Sequence, residues 1–94
     1  MALLTGRFTT PNASKYIAQL CKHFAHRIAT EHDANTGTAA LPSGPASMIA
    51  HPDHLEIKIE LADEALLGQA KSVIDSHLER FAFREGFSHM EWDR

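Results

Sequence analysis

Histidine is the residue type in this sequence that most suggests chemistry. The 94-residue chain contains seven histidines but one cysteine, one tryptophan and one tyrosine. Imidazole binds metals, transfers protons near neutral pH and pairs with anions once protonated. Three histidines lie where apolar residues have helical spacing, namely His23, His26 and His77. The other four lie near predicted turns or in the C-terminal segment, where we expect solvated side chains: His32, His51, His54 and His89.

The first helical pair has a spacing that suits metal binding. His23 and His26 are three residues apart, so their side chains lie within about 5–6 Å of one another on a helix. Two imidazoles are an incomplete zinc site, and Cys21 projects to another side of the helix. The pattern therefore favours a border histidine beside a solvated one. His23 and His26 remain the candidate metal ligands, and the sequence does not identify a metal.

His77 falls near the centre of the apolar stripe of a second predicted helix. A buried imidazole needs a hydrogen-bond partner, or it costs about 1–3 kcal/mol. One interpretation is that His77 only organises the core, bonded to Tyr16, a strand carbonyl or a carboxylate. The other is a cationic cleft between two adjacent helices, bordered by Tyr16 and Phe81, for an anion, an iron complex or a haem-like ligand. The candidate ligand-binding residues are His23, Arg27, His77, Arg80, Arg84 and Tyr16.

The common catalytic motifs fit this sequence poorly. It has no glycine-rich phosphate loop, no G-x-S-x-G elbow and no HExxH pair. Cys21 and His23 are not a nucleophile–base pair, because residues two apart on a helix point about 160° apart. The sequence favours a binding module over an enzyme. A small enzyme that uses His23 or His77 as a general base on an anionic substrate is the remaining catalytic hypothesis.

The elements that position these residues follow from the apolar periodicity. Residues 2–9 predict a strand, and residues 11–28 predict an amphipathic helix with Thr10 as N-cap and Pro11 at its first position. Asp63 and Glu64 open a second helix that ends near residues 80–84. Turn residues separate the remaining strand candidates, which lie near 30–33, 37–41, 46–51 and 54–61, with a final short strand around Met90 and Trp92.

This order predicts one α+β domain over residues 1–94. Two helices cover one face of an antiparallel sheet in a two-layer sandwich, in the order β-α-β-β-β-β-α and a last short strand. The order resembles the topology of the TATA-box-binding protein and its helix-grip relatives. That likeness is topological only, because the sequence lacks the basic and aromatic surface that a minor-groove binder needs.

Composition excludes several classes of protein. The formal charge is -3, with 44% hydrophobic and 22% charged residues, which is typical of a soluble globular protein with no nucleic-acid partner. No run approaches the roughly 20 apolar residues that span a bilayer, and no signal-peptide pattern is present. One cysteine excludes an internal disulfide. We therefore expect a cytoplasmic protein without a membrane partner.

Two segments together resemble a known family. Residues 20–26 read LCKHFAH and residues 77–85 read HLERFAFRE, with Thr10-Pro11 before the first and Trp92 after the second. They resemble the bacterial family named domain of unknown function 2218 over almost the whole chain. The resemblance implies a small bacterial protein with no assigned catalytic residues. It also implies a link to iron handling, because related domains occur beside siderophore-interacting, flavin-dependent ferric reductase-like proteins.

Two functional hypotheses result. The first is a binding or accessory module in iron or siderophore metabolism, with a siderophore-interacting flavoprotein or a small anionic ligand as partner. Iron, haem or a ferric siderophore is then the candidate bound group. The second is a structural or interaction domain, such as a homodimer, whose histidines only organise the core. Its contacts would use the exposed sheet face and edge strands near residues 2–9 or 87–92.

Overall fold

The order of strands and helices confirms the predicted α+β class. The computed structural model describes residues 2–87 and 89–94. Its strands are β1 (Ala2–Thr9), β2 (Thr30–His32), β3 (Thr36–Leu41), β4 (Gly44–Ala50), β5 (His54–Leu61) and β6 (Glu91–Trp92), and its helices are α1 (Ala13–Phe24) and α2 (Leu67–Phe81). Short 3-10 turns at Glu64–Leu66 and Phe83–Glu85 flank α2.

All strands pair antiparallel in one sheet with the order β2-β3-β4-β5-β1-β6. Alternation along β5 explains the layering, because Leu55, Ile57 and Ile59 are fully buried under the helices. The prediction that residues 2–9 form an edge strand is wrong. β1 lies between β5 and β6, which pairs with it at Gly6 and Arg7, so β2 and β6 are the edges.

Helix α1 is shorter than the predicted span of residues 11–28. It begins after Asn12, at Ala13; the Thr10 hydroxyl accepts a 3.1 Å hydrogen bond from the Asn12 amide, so it caps the turn at residues 11–12 that precedes the helix. At the other end the His26 and Arg27 amides bond to carbonyls three residues earlier, which tightens the chain into turns. The buried face of α1 is otherwise the predicted one, with Ile17 and Leu20 fully buried.

Helix α2 begins through a capped turn and ends close to the expected residue. The Asp63 carboxylate accepts a 3.0 Å hydrogen bond from the Ala65 amide, which starts the preceding 3-10 turn. The fully buried positions of α2 are Ala70, Ile74 and Leu78. His77 therefore lies at the edge of the buried stripe, half-exposed, and not near its centre as predicted.

The C-terminal strand is attached to both layers. The Trp92 indole nitrogen donates to the Asp75 carboxylate of α2 at 3.0 Å, and the Met90 amide donates to the same carboxylate at 2.9 Å. The indole ring lies over Gly6, where a Cβ would come within 2.6 Å of it. Neither helix in the described part of the chain combines the length and apolar composition that crossing a bilayer requires.

Candidate functional site

The two helices pack antiparallel, and their register brings two histidines together. Tyr16, early in α1, contacts Glu85 after the end of α2, whereas His23 at the end of α1 meets His77 within α2. The His23 and His77 ring centroids are 4.5 Å apart, with an interplanar angle of 65°. The predicted contact between these two imidazoles is therefore present in the structure.

His77 is held by its own helix. Its Nδ1 lies 2.6 Å from the carbonyl oxygen of Val73, one helical turn earlier. The ring also packs against Phe24, with centroids 4.9 Å apart. The partner is thus neither Tyr16, nor a strand carbonyl, nor a carboxylate, which were the three alternatives drawn from the sequence. A half-buried imidazole needs only one local acceptor here, because its other edge reaches the surface.

A groove opens beside this histidine pair, where the end of α1 meets α2 and the turn after β3. Its volume is about 570 Å³, within the range of small-molecule sites. Apolar side chains form most of its wall, and the imidazoles and one guanidinium form the rest. We call this the helix groove, and its lining residues are His23, Phe24, His26, Arg27, Ile28, Leu41, Pro42, Val73 and His77.

The electrostatics of the helix groove favour negative charge. Among the described residues that line it, none is acidic. The pKa of His23 lies below its ordinary value. Desolvation of its ring is the largest cause, followed by the positive charges of His77 and Arg80, and the effects of His26 and Arg27 are smaller. The groove therefore disfavours a positive charge on the His23 imidazole, a cost that a bound anion would reduce.

Three predicted site residues lie outside the helix groove. Arg80 is exposed and close enough to act on the charge of His23, but it does not line the groove. The Arg84 guanidinium lies 5.7 Å from the ring centroid of Phe83 on the same 3-10 turn. Tyr16 is buried two turns of α1 before His23, facing Glu85. A projection around each helix axis could not show how far along the axes these residues lie, and Arg84 lies beyond the end of α2.

Glu85 is the centre of a polar cluster that the sequence analysis did not identify. Its carboxylate accepts hydrogen bonds from the Tyr16 hydroxyl, from the Thr10 hydroxyl at 2.7 Å and from the Asn12 amide group at 3.1 Å. Burial opposes ionisation of Glu85, but these hydrogen bonds outweigh it and lower its pKa. Burial, together with Glu85, raises the pKa of Tyr16 to about 12.

The remaining candidates have weaker support from the structure. In the described ranges, no three His, Cys, Asp or Glu side chains come close enough to hold a metal ion, so His23 and His26 gain no third ligand of these types. Cys21 lines a separate surface hollow of about 690 Å³ near β2, and burial raises the pKa of its thiol. His51 and His54 stack at 4.2 Å in the turn before β5. The general-base hypothesis for His23 or His77 stays a prediction.

Comparison with known proteins gives a family and a structural relative. The model of a family described as "Uncharacterized protein conserved in bacteria (DUF2218)" matches residues 5–93. The NMR structure of PA4090 from Pseudomonas aeruginosa is similar, with 29% sequence identity and a TM-score of 0.79. The alignment covers 99% of this chain and 96% of that one. No curated protein matches the chain.

Proposed function

Because the chain belongs to this uncharacterised family conserved in bacteria, whose description names no activity, we propose a function from the helix groove itself. In this proposal the protein is a non-catalytic module that binds a small, partly apolar anion. The observation that carries the proposal is the contact between His23 and His77, 4.5 Å apart, at the wall of an open groove.

The composition of the groove supports both parts of this ligand description. Ile28 and Val73 are partly exposed at the groove, and they provide an apolar surface for a ring or a short chain. Arg27 and the imidazoles provide hydrogen-bond donors that suit a carboxylate or phosphate. Since both kinds of group line the groove, the fitting ligand is itself amphipathic.

The proposal extends to bacterial iron handling. Haem and many ferric siderophores combine a large organic body with negative charge, the chemistry that the helix groove would accept. The resemblance to a family with siderophore-associated relatives supports this extension, with a siderophore-interacting flavoprotein as partner. A cytoplasmic location belongs to the same proposal, because such reductases work on iron that has entered the cell.

The general test uses three probes that share one ring system and differ in charge. We expect 2-naphthoate to bind, the neutral 2-naphthylmethanol to bind more weakly and the cationic 2-naphthylmethylamine to bind least, as measured by NMR shift changes at groove residues. Arg27→Gln should weaken 2-naphthoate binding about tenfold. Arg7→Gln, on the outer face of the sheet, is the matched control and should change nothing.

Equal affinity for all three probes would contradict the anion site. The iron extension has its own test, a titration with haem and with a ferric catecholate complex. We expect binding that the double variant His23→Ala/His77→Ala loses. Identical titration curves for the wild type and the double variant would rule out the helix groove as the place where these compounds bind.

One surface observation favours a second candidate function, protein interaction. Phe83 is 63% exposed and lies beside Arg84, and exposed aromatic and arginine side chains are enriched where proteins bind one another. A homodimer or a partner complex would cover this pair. Sedimentation over a range of concentrations tests the homodimer, which Phe83→Ser should weaken. A monomer at every concentration would leave only a different protein as partner.

A further inference from the structure

The hydrogen bond of His77 determines which ring nitrogen carries a proton. A carbonyl oxygen can only accept, so the 2.6 Å contact with Val73 requires a hydrogen on Nδ1 of His77. In the neutral imidazole the other nitrogen, Nε2, therefore has no hydrogen and presents a lone pair. The ring is fixed in this tautomer by a helix carbonyl that cannot move without disturbing α2.

A lone pair cannot hold an anion, and this has a consequence for binding. Negative charge approaching Nε2 is repelled until a proton occupies that nitrogen, after which the imidazolium donates a charge-assisted hydrogen bond. An anion can therefore bind at His77 only if a proton binds as well. The proton comes from solvent or from the acid group of the ligand, and no other bond forms or breaks.

The groups around His77 supply no negative charge of their own. From α1 and the turn after it the facing groups are His23, His26 and Arg27, and from α2 the nearby charge is Arg80. The end of β3 and the turn after it contribute Leu41 and Pro42, which do not titrate. The titratable neighbours are thus basic, and the lowered pKa of His23 reflects the same surroundings. A bound carboxylate would supply the negative charge that these groups lack.

We propose that the helix groove binds a carboxylate with an apolar body together with one proton, which is held on Nε2 of His77. This inference rests on the anion site proposed above and adds the proton-linked step. Its direct consequence is pH dependence. Where Nε2 carries no proton before binding, affinity falls by about tenfold for each unit that the pH rises, because each binding event must take up one proton.

The experiment measures proton uptake by isothermal titration calorimetry with 2-naphthoate. At a pH of about 8, the binding enthalpy is recorded in triethanolamine and in Tris, two buffers that carry no anionic group and whose ionisation enthalpies differ, and the difference gives the number of protons bound. We expect about one proton for the wild type and close to none for His77→Gln, with weaker residual binding. The matched control is His89→Gln. The Nδ1 of His89 also lies against a backbone carbonyl, 2.9 Å from the oxygen of Met90, but His89 does not line the helix groove.

The possible results separate this inference from the general proposal. Naphthoate binding without proton uptake, or with a pH-independent affinity, overturns the proton-linked step and leaves the anion site. Loss of uptake in His23→Gln but not in His77→Gln overturns the assignment to His77. Absence of binding overturns both proposals. Nitrogen NMR of the free protein provides an independent measurement, because the chemical shifts of the two ring nitrogens show which one carries the hydrogen. In the neutral ring we expect Nε2 of His77 to be the unprotonated nitrogen. The opposite tautomer would contradict the argument.

Discussion

The Glu85 side chain connects three residues near the start of α1 to the segment that follows α2. It follows α2, and its carboxylate receives hydrogen bonds from the start of α1 and from the segment before it. Thr10, one of its donors, is 1% exposed, so the loss of this acceptor would leave a buried hydroxyl without its partner. Glu85 thus joins the ends of two helices that are far apart in the sequence.

We therefore predict that Glu85→Gln lowers the free energy of unfolding by about 1–3 kcal/mol, because a neutral amide accepts the Tyr16 and Thr10 hydrogen bonds less strongly than a carboxylate. Urea denaturation measures the change. Glu79→Gln is the matched control, because Glu79 lies exposed on the same part of the chain, and it should alter the unfolding free energy by less than about 0.5 kcal/mol. Equal stability of the two variants would show that the cluster around Glu85 does not stabilise the fold.

At the residue scale, part of the candidate site could be predicted from the sequence. The sequence pattern placed His23 at the border of one apolar stripe and His77 near the centre of another, and it indicated that the two would meet if the helices were adjacent, which is the contact that the structure has. Tyr16 was predicted for the same cleft, but it lies at the Glu85 end of the helix pair. Helical projection gives the angle of a side chain around its axis, whereas the partner depends on how far two helices slide along one another, which no local pattern encodes.

Among the elements, β6 depends on the absence of a side chain in its neighbour. The ring of Trp92 occupies the space above Gly6, and a Cβ there would lie 2.6 Å from two ring atoms. Gly6 is therefore required by close packing, and the β6 strand docks only because that space is open. The Asp75 carboxylate, on α2, then accepts hydrogen bonds from the Trp92 indole and from the Met90 amide.

We predict that Gly6→Ala lowers the unfolding free energy by about 1–3 kcal/mol, because the added methyl group displaces the indole from β1. Gly68→Ala is the control, since a Cβ at this position in α2 meets nothing within 4 Å. It should raise stability by about 0.5–1 kcal/mol through helix propensity. Thermal unfolding of both variants measures these changes, and a Gly6→Ala protein as stable as the wild type would contradict the packing argument.

Element boundaries show where sequence patterns stop being informative. The alternation of β5 predicted its bounds exactly as residues 54–61, because one face is buried and the other is not. The start of α1 was predicted two residues too early, at Pro11, because the cap-type hydrogen bond of Thr10 leads into a turn at residues 11–12 and the helix begins only at Ala13. The second bond of the Thr10 hydroxyl, to Glu85 75 residues further along the chain, could not be read from a local pattern.

For the whole molecule, the sheet order places the most protected strand in the interior. β5 lies between β4 and β1, and its inward side chains Leu55, Ile57 and Ile59 are fully buried. The edge strands β2 and β6 have three and two residues. The helix groove, where α1 and α2 meet the end of β3, is lined by no residue of either edge strand. Ligand binding there therefore need not disturb strand pairing.

We predict that amide hydrogen exchange is slowest in β5 and fastest in β2 and β6. Exchange from β5 requires global unfolding, whereas short edge strands open locally at a lower free energy. Mass spectrometry of peptides from each strand measures the order. If the β2 amides were as protected as those of β5, the outer side of β2 would have to be covered by another chain, as in a homodimer.

The position of Trp92 also makes it an optical reporter. It is the only tryptophan in the chain, and its indole is bonded to Asp75, about 160° around α2 from both Val73 and His77. Emission excited selectively from this residue therefore records the docking of the C-terminal strand and not direct quenching by a compound in the helix groove. A groove ligand that does not absorb in the tryptophan emission band and still changes this emission must act through the protein, by shifting α2 or the C-terminal strand, which would distinguish a passive receptor from one that signals occupancy to its opposite side.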